Sequence, residues 1–115
     1  MFRVSICYYN PADPAVFDDY YMRVHTPLVR ALPGLAGFTA SRCQALTPTT
    51  PVPFHLVAQL EFSSESDLQR ALTSTEMRRA SKDMANFAIA GAVTFWSHDL
   101  DLPTNTAGPD QSRGA

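Results

Sequence analysis

The sequence predicts one α+β domain whose strands and helices follow the order βαββαβ. Four segments alternate apolar and polar residues with a period of two, which is typical of half-buried strands. Two further segments repeat apolar residues at helical spacing. The chain has 115 residues, 45% of them hydrophobic and 17% charged, and this suffices for one hydrophobic core but not for two.

Composition also limits the partners that we expect. The formal net charge is −2, so the chain offers no basic surface for nucleic acid. No apolar run approaches the roughly 20 residues that cross a bilayer, and the first residues do not resemble a secretory signal. Cys7 and Cys43 are too few for a disulfide framework and lack metal-site spacing. We therefore expect a cytoplasmic protein that binds neither nucleic acid nor membranes.

The first strand leads directly into the first helix. Residues 2–9 alternate between apolar and polar side chains, as a half-buried strand does. Asp13 is a suitable helix cap, and Pro14 suits the first helical position, where no amide hydrogen is needed. An apolar stripe then continues until a Pro-Gly pair ends the helix. Pro27 lies within that stripe and lacks an amide hydrogen, so we expect a kink or a break just after His25.

The rest of the chain completes the pattern. Ser64 and the acidic residue three positions later resemble a capping box. Along the third strand we expect Phe54 and Leu56 to share one face and His55 to lie on the other. In order, the sequence predicts a strand over 37–45, a loop over 47–53, a strand over 54–62, a helix from Ser64 that continues over 76–84, and a strand over 89–99.

This order is the split βαβ arrangement of ferredoxin-like folds, with two helices on one face of a four-stranded antiparallel sheet. The other face carries side chains such as Val57 and Cys7, which are too apolar to stay fully wet. Two-fold association of two copies would bury that face, because such an interface is self-complementary. We therefore expect a homodimer. Residues 1–100 form the predicted domain, and residues 101–115 are a polar tail, flexible or packed across the dimer.

The motifs of the chain resemble a known family. The chain carries Phe17-x-x-Tyr20-Tyr21-x-x-x-His25-x-Pro27-Leu28, then Leu32-Pro33-Gly34-Leu35, and later Asp83-x-x-Asn86-Phe87. Together with Asn10-Pro11-Ala12-Asp13-Pro14, they resemble the signature of the EthD family, named for ethyl tert-butyl ether degradation. The resemblance extends from residue 2 to about residue 99.

The resemblance implies a dimeric α/β barrel, in which two four-stranded sheets meet and the helices lie outside. Proteins of that architecture include cofactor-free monooxygenases of polyketide quinones, aromatic cyclases, muconolactone isomerases and haem-binding enzymes. Their ligand clefts generally lie between sheet and helices. EthD members often accompany oxidative catabolic pathways without an assigned reaction, so the fold alone does not determine the function.

His25 is the main candidate for a catalytic residue. It lies on the apolar stripe of the first helix, one turn after Tyr21, and a histidine there can act as a general acid or base, or stabilise an oxyanion. The alternative is a partly buried histidine that hydrogen-bonds a backbone carbonyl and holds the kinked helix. Tyr21 is the second catalytic candidate, because a phenol both donates and accepts.

Four further residues are candidates for ligand binding. Tyr20 is a candidate because, like Tyr21, it can orient a ligand or tune His25. Trp96 is a candidate because it can line an apolar pocket. The alternative for both is an ordinary core residue. Pro27 is included because it frees a backbone carbonyl near His25. His98 is able to approach the site, although a strand histidine of this kind is more often a surface or barrel-rim residue.

Other chemistries have little support in the sequence. The three histidines are too scattered for a short metal-ligand spacing, and we expect no metal. No Gly-rich phosphate loop or nucleophile elbow is present, so we expect no cofactor. The sequence and the resemblance together favour cofactor-independent proton transfer (isomerisation, cyclisation or oxidation) on a small apolar oxygenated or aromatic metabolite of a bacterial catabolic or secondary-metabolite pathway. The alternatives are a non-catalytic ligand-binding or accessory protein for a partner oxygenase, and a haem-binding relative with His25 or His98 as axial ligand.

Overall fold

The computed structural model describes residues 1–104, and the remainder of the predicted tail, 105–115, lies outside the described residues. Residues 101–104 belong to no helix or strand. In chain order the elements are β1 (Phe2–Tyr9), α1 (Pro14–Tyr20), a π-helical segment (Tyr21–His25), α2 (Thr26–Arg30), β2 (Gly37–Arg42), β3 (Phe54–Phe62), α3 (Glu65–Leu72), α4 (Thr75–Asp83), a 3₁₀ turn (Met84–Asn86) and β4 (Ala92–His98).

The four strands form one antiparallel sheet in the order β2-β3-β1-β4. This confirms the predicted ferredoxin-like fold. The second and fourth strands are shorter than predicted, since β2 ends at Arg42 and β4 begins at Ala92. Both predicted caps form: the side chain of Asp13 accepts a hydrogen bond from the amide of Val16 at 3.2 Å, and Ser64 caps α3 in the same way.

The first helix does not break at the predicted kink but widens by one residue. The amide of Thr26 donates to the carbonyl of Tyr21, five residues earlier, and the hydroxyl of Thr26 donates to the carbonyl of Met22 at 2.6 Å. The π-helical segment therefore ends at His25, immediately before Pro27 enters the first turn of α2. Such single π turns are frequent at functional sites. Here the segment buries both Tyr21 and His25.

The core fills the space between the helices and one face of the sheet. One cluster of buried side chains includes Val4, Leu60 and Leu68, and a second includes Tyr8, Phe17 and Phe87. The opposite face of the sheet is formed by alternate residues of the same strands. On it, Val93 and Phe95 of β4 remain 38% and 52% exposed.

A β-bulge corrects the prediction for the start of β3. Tyr8 pairs with Leu56 and Tyr9 pairs with Phe54, so His55 is the extra residue. Phe54 consequently packs on the ring of Tyr9, at 5.1 Å between centroids, rather than sharing a face with Leu56. His55 turns instead towards α1, where its ring meets the edge of Phe17 at 5.2 Å. Strict alternation predicts the opposite arrangement, because it does not allow for an inserted residue. The insertion moves every residue beyond it to the other face of the sheet.

Candidate functional site

A cavity of about 400 Å³ lies between the sheet and the helices. Its wall is largely aliphatic and aromatic, with a few polar groups. The polar side chains that line it are Tyr8, Tyr21, His25, Ser81 and Thr94, and the apolar ones include Val4, Ile6, Val29, Leu60, Met77 and Trp96. An apolar pocket with a small number of converging polar groups is the usual form of a small-molecule site.

His25 forms part of the cavity wall and is itself 3% exposed. Its Nδ1 lies 2.9 Å from Oδ2 of Asp83, at the end of α4. Burial lowers the pKa of His25 below its ordinary value of 6.5, and the nearby carboxylate of Asp83 only partly opposes this effect. The imidazole is therefore neutral at neutral pH.

Asp83 is held by three donors. Besides His25, the hydroxyl of Tyr20 donates to Oδ1 at 2.6 Å, and the side-chain amide of Asn86 donates to the same oxygen at 3.0 Å. Burial acts to raise the pKa of Asp83, but the hydrogen bonds from Tyr20, His25 and Asn86 outweigh it and lower that pKa below its ordinary value.

These two protonation states fix the tautomer of the imidazole. An ionised carboxylate accepts hydrogen bonds and cannot donate them, so Nδ1 of His25 carries the proton that is shared with Asp83. In a neutral imidazole the other nitrogen then has the free lone pair. Nε2 of His25 is thus the basic atom of the pair.

Tyr21 brings a second polar group to the cavity. Its side chain is 2% exposed, and within residues 1–104 its hydroxyl has no hydrogen-bond partner. The ring of Tyr21 lies 5.3 Å from that of His25 between centroids. The Tyr8 hydroxyl is close enough to influence the pKa of Tyr21 without completing a hydrogen bond, and burial raises that pKa above its usual range. The phenol therefore stays protonated and is free to donate.

Phe87 fixes the positions of these side chains from the end of the 3₁₀ turn. Its ring lies 4.6 Å from the imidazole of His25 and 5.5 Å from the ring of Tyr20, on which it stacks. It also meets Tyr21 edge-on at 5.7 Å. One buried aromatic ring therefore contacts three of the predicted site residues, His25, Tyr20 and Tyr21.

The other predicted ligand-binding residues lie in different places. Trp96 lines the cavity, opposite Val4 on the neighbouring strand. Tyr20 does not line it and instead binds Asp83. Pro27 is exposed on α2, and His98 is exposed at the end of β4, 6.1 Å from the ring of Phe2. Neither of these two lines the cavity.

Asp83 is a site residue that the local sequence patterns do not indicate as functional. Its position in the Asp83-x-x-Asn86-Phe87 motif indicates only the resemblance to the family. A physical signal was available, because Asp83 follows Ala80 by three residues and so shares the buried side of α4. An acidic residue on the buried side of a helix requires a hydrogen-bonded partner, and a histidine elsewhere in the chain is a natural one.

A second histidine–aspartate pair lies at the bulge of β3, away from the cavity. Nε2 of His55 is 2.7 Å from Oδ1 of Asp18, on α1, and the guanidinium of Arg42 is 2.8 Å from the other oxygen of Asp18. The pair joins α1 to two strands. The ion pair of Arg42 thus forms within its own chain.

Two further properties are seen in residues 1–104. Their His, Cys, Asp and Glu side chains form no group of three that could hold a metal ion. None of the helices in this part of the chain is long and apolar enough to cross a membrane.

The βαββαβ order and the single antiparallel sheet define a ferredoxin-like protein, with its cavity between sheet and helices. The model of the EthD domain matches residues 10–90, a range that contains His25, Asp83 and the side chains that hydrogen-bond to Asp83. The chain therefore belongs to the EthD family, as the resemblance of its motifs predicted.

Individual relatives agree with this assignment. An uncharacterised 11.0 kDa protein of Rhodococcus erythropolis, from the thcB–thcC intergenic region, is 40% identical over 104 residues, which cover 90% of this chain and 100% of that protein. The crystal structure of an EthD family protein from Bacillus halodurans superposes with a TM-score of 0.79 at 26% identity, over 87% of this chain and 99% of that one.

More distant structures share the fold alone. A dimeric ferredoxin-like protein of unknown function from Thermobifida fusca has a TM-score of 0.62 at 13% identity, over 84% of this chain and 88% of that one. SnoaB, a cofactor-independent oxygenase from Streptomyces nogalater, has a TM-score of 0.57 at 14% identity, over 89% of this chain and 93% of that one.

Proposed function

We propose that the protein catalyses cofactor-independent proton transfer on a small, neutral, apolar oxygenated or aromatic metabolite of a bacterial catabolic or secondary-metabolite pathway. The observation that carries this proposal is the His25–Asp83 pair in the wall of an apolar cavity. A neutral imidazole held in one tautomer by a carboxylate is a general base suited to neutral pH.

The reaction follows from the placement of the two polar groups. Nε2 of His25 takes a proton from a carbon next to a carbonyl, and the electron pair of that C–H bond moves onto the carbonyl oxygen. The hydroxyl of Tyr21 donates a hydrogen bond to the developing oxyanion. Asp83 stabilises the imidazolium through Nδ1. In an unsaturated ketone, return of the proton from Nε2 to the γ-carbon of the dienolate restores the carbonyl and completes an isomerisation. In a substrate with a second carbonyl, the enolate carbon instead bonds to that carbonyl carbon, whose π electrons move to its oxygen, and this oxygen takes the proton from Nε2 to complete a ring closure.

The cavity wall favours an uncharged substrate. Neither lysine nor arginine lines the cavity within the described part of the chain. A carboxylate or phosphate would therefore lose its hydration without gaining a cation in return. Ketones, quinones and phenols match the wall better, because one oxygen suffices to meet the hydroxyl of Tyr21 and the remaining surface is apolar. The shared fold of a cofactor-independent oxygenase supports chemistry without a cofactor in a cavity of this kind.

We also propose that two copies associate through the sheet face that the helices leave bare. Phe95 and Val93 are exposed there, beside the more polar Ser5 and Gln59. Relatives of this fold are described as dimeric, which supports the same arrangement. Phe95→Glu places a carboxylate in this face, and native mass spectrometry should then find monomers where the wild type gives dimers. A monomeric wild type would contradict the proposal.

A non-catalytic ligand-binding or accessory role for a partner oxygenase is the second candidate function. The free hydroxyl of Tyr21 favours it equally, because a buried phenol without a partner indicates a ligand atom whether or not chemistry follows. The two functions differ in one observable. A binding protein retains its ligand unchanged, whereas an enzyme exchanges the acidic protons of that ligand with water.

The test is deuterium exchange into a neutral bicyclic ketone, 2-tetralone, in buffered D₂O, followed by proton NMR. We expect the wild type to accelerate the loss of the α-proton signals above the buffer rate. A titration of the protein with the same ketone, followed by tryptophan fluorescence of Trp96, measures binding independently. Binding without accelerated exchange would favour the accessory role, and absence of both would contradict this substrate class.

A further inference from the structure

We propose that Tyr20 is a positioning residue: its hydroxyl holds the Asp83 carboxylate in the orientation that keeps the proton of His25 on Nδ1 and the lone pair of Nε2 available. The inference rests on the proposed role of His25 as the base. It concerns the state of the free protein, however, and is measurable without any substrate.

The two oxygens of Asp83 have separate tasks. Oδ2 faces Nδ1 of His25 at 2.9 Å, and Oδ1 accepts from the hydroxyl of Tyr20 at 2.6 Å and from the amide of Asn86 at 3.0 Å. Rotation of the carboxylate would break all three hydrogen bonds. The bond from Tyr20 is the shortest of them, as expected when a hydroxyl donates to an ionised oxygen.

The role belongs to the hydroxyl and not to the ring. The ring of Tyr20 stacks on Phe87, at 5.5 Å and 28° between planes. Tyr20→Phe keeps this stacking partner and removes only the hydrogen-bond donor. Two charged residues, Arg79 and Lys82, line a shallow groove together with Asp83. Both remain in the variant, so a change in His25 reports the hydroxyl.

Loss of that hydroxyl affects the base through the carboxylate. Asp83 then keeps only Asn86 on Oδ1, and its carboxylate rotates more freely. When Oδ2 leaves Nδ1, the neutral imidazole is no longer restricted to one tautomer. The tautomer that carries its proton on Nε2 then becomes populated. In that tautomer Nε2 is a hydrogen-bond donor and cannot act as the base that the reaction needs.

The experiment is a long-range ¹H–¹⁵N correlation spectrum of protein with ¹⁵N-labelled histidine, recorded at a pH where the imidazoles are neutral. For the wild type we expect His25 to show the Nδ1–H pattern alone. For Tyr20→Phe we expect a mixture in which the Nε2–H form is detectable. Tyr9→Phe is the matched control, because Tyr9 is 40% exposed and its ring packs on Phe54, and there the pattern should stay that of the wild type.

Asn86→Ala gives a second, independent test if Tyr20→Phe fails to fold. It removes the other donor to Oδ1 and should shift the tautomers in the same direction. Asp83→Asn supplies the reference spectrum for full loss of the carboxylate. Where 2-tetralone exchange is measurable, Tyr20→Phe should lower kcat about tenfold or more with KM unchanged, since a misplaced group affects the chemical step.

The outcomes separate this inference from the proposed function. A wild-type His25 with its proton on Nε2 would contradict the assignment of the base itself. A wild-type Nδ1–H pattern that persists unchanged in both Tyr20→Phe and Asn86→Ala would overturn only the positioning role. A tautomer shift in the variants without any ketone exchange by the wild type would support the positioning role and contradict the enzymatic proposal.

Discussion

Two histidine–aspartate pairs of nearly equal length occur within residues 1–104. The pair of His25 and Asp83 measures 2.9 Å, and that of His55 and Asp18 measures 2.7 Å. Their surroundings differ. The first lines an apolar cavity, whereas the second lies outside it, at the bulge of β3. A short contact between imidazole and carboxylate therefore does not by itself indicate a general base. The imidazole must also line a cavity that can hold a substrate.

The neighbours of the two carboxylates differ in charge. Asp83 accepts from two neutral donors, Tyr20 and Asn86, besides His25. Asp18 accepts from the guanidinium of Arg42 at 2.8 Å as well as from His55. An ion pair with arginine ties α1 to the strands, which is a structural task. A carboxylate whose other donors are neutral is not neutralised by a cation, so its negative charge can stabilise the imidazolium.

Both pairs owe their existence to a backbone irregularity. The π-helical segment buries His25 beside Tyr21, and the β-bulge turns His55 towards α1. In each case one inserted residue interrupts a regular helix or strand and changes the direction of a histidine side chain. The same device therefore serves a candidate active site in one region and a helix–sheet connection in the other.

The largest effect should come from removing each histidine in turn. His25→Gln should lower the rate of 2-tetralone exchange at least about 100-fold, because general bases contribute typically 10²–10⁴-fold. His55→Gln should leave that rate within a factor of about two, since His55 does not line the cavity. The assay is initial-rate NMR, with circular dichroism to confirm folding. Equal losses in the two variants would refute the difference between the pairs.

Removing each carboxylate should affect stability unequally. Asp83→Ala leaves three donors without their acceptor, so the free energy of unfolding should fall by about 3 kcal/mol. Asp18→Ala should cost only about 1 kcal/mol, because its partner Arg42 is 57% exposed and exposed ion pairs contribute little. Urea unfolding followed by fluorescence measures both. A larger loss of unfolding free energy for Asp18→Ala than for Asp83→Ala would contradict this difference between the two carboxylates.

The pH dependence of stability should reveal the buried imidazole of His25. Because the folded-state pKa of His25 is lowered, the unfolded chain binds the proton first, and the free energy of unfolding decreases as the pH falls below 6.5. Asp83 and Asp18, whose folded-state pKa values are also lowered, add a second loss as the pH falls below 3.8. His25→Gln should abolish the first loss and keep the second. Urea titrations between pH 3 and 8 would show a persistent first loss if this account were wrong.

The smallest effect should come from the hydroxyl of Tyr21. Tyr21→Phe removes a buried hydroxyl that has no partner in the described part of the chain, so stability should stay equal or increase by about 1 kcal/mol. Affinity for 2-tetralone should nevertheless fall about fivefold to tenfold, because the ligand oxygen loses its donor. Thermal unfolding and fluorescence titration measure the two changes. Unchanged affinity would exclude Tyr21 as the donor.

The sequence predicted the fold closely and the site in part. Alternation and helical spacing located all four strands and the buried stripe of the first helix, because these patterns depend on the nearest neighbours in the chain. The family motif and the chemistry of the side chains point to His25, Tyr21 and Trp96, all of which line the cavity. Tyr20 was selected as well, although its contact is with Asp83 and not with the cavity.

What the sequence left open depends on contacts between distant residues. The partner of His25 lies 58 positions away, and a pattern of local spacing contains no information on that distance. The faces of Phe54 and His55 were predicted wrongly because a bulge shifts the register. Pro27 was expected to alter the helix near His25. The helix there is a π-helical segment that buries His25, whereas Pro27 itself is exposed and does not line the cavity.

The most direct test of the account is an NMR titration of His25 in the wild-type protein. We expect the imidazole to titrate below 6.5, the ordinary histidine value, and the neutral ring to carry its proton on Nδ1. His25→Gln identifies the signal, and His55 provides a second histidine in the same spectrum. A His25 that titrates above 6.5, or carries its proton on Nε2, would contradict a neutral base facing an apolar cavity.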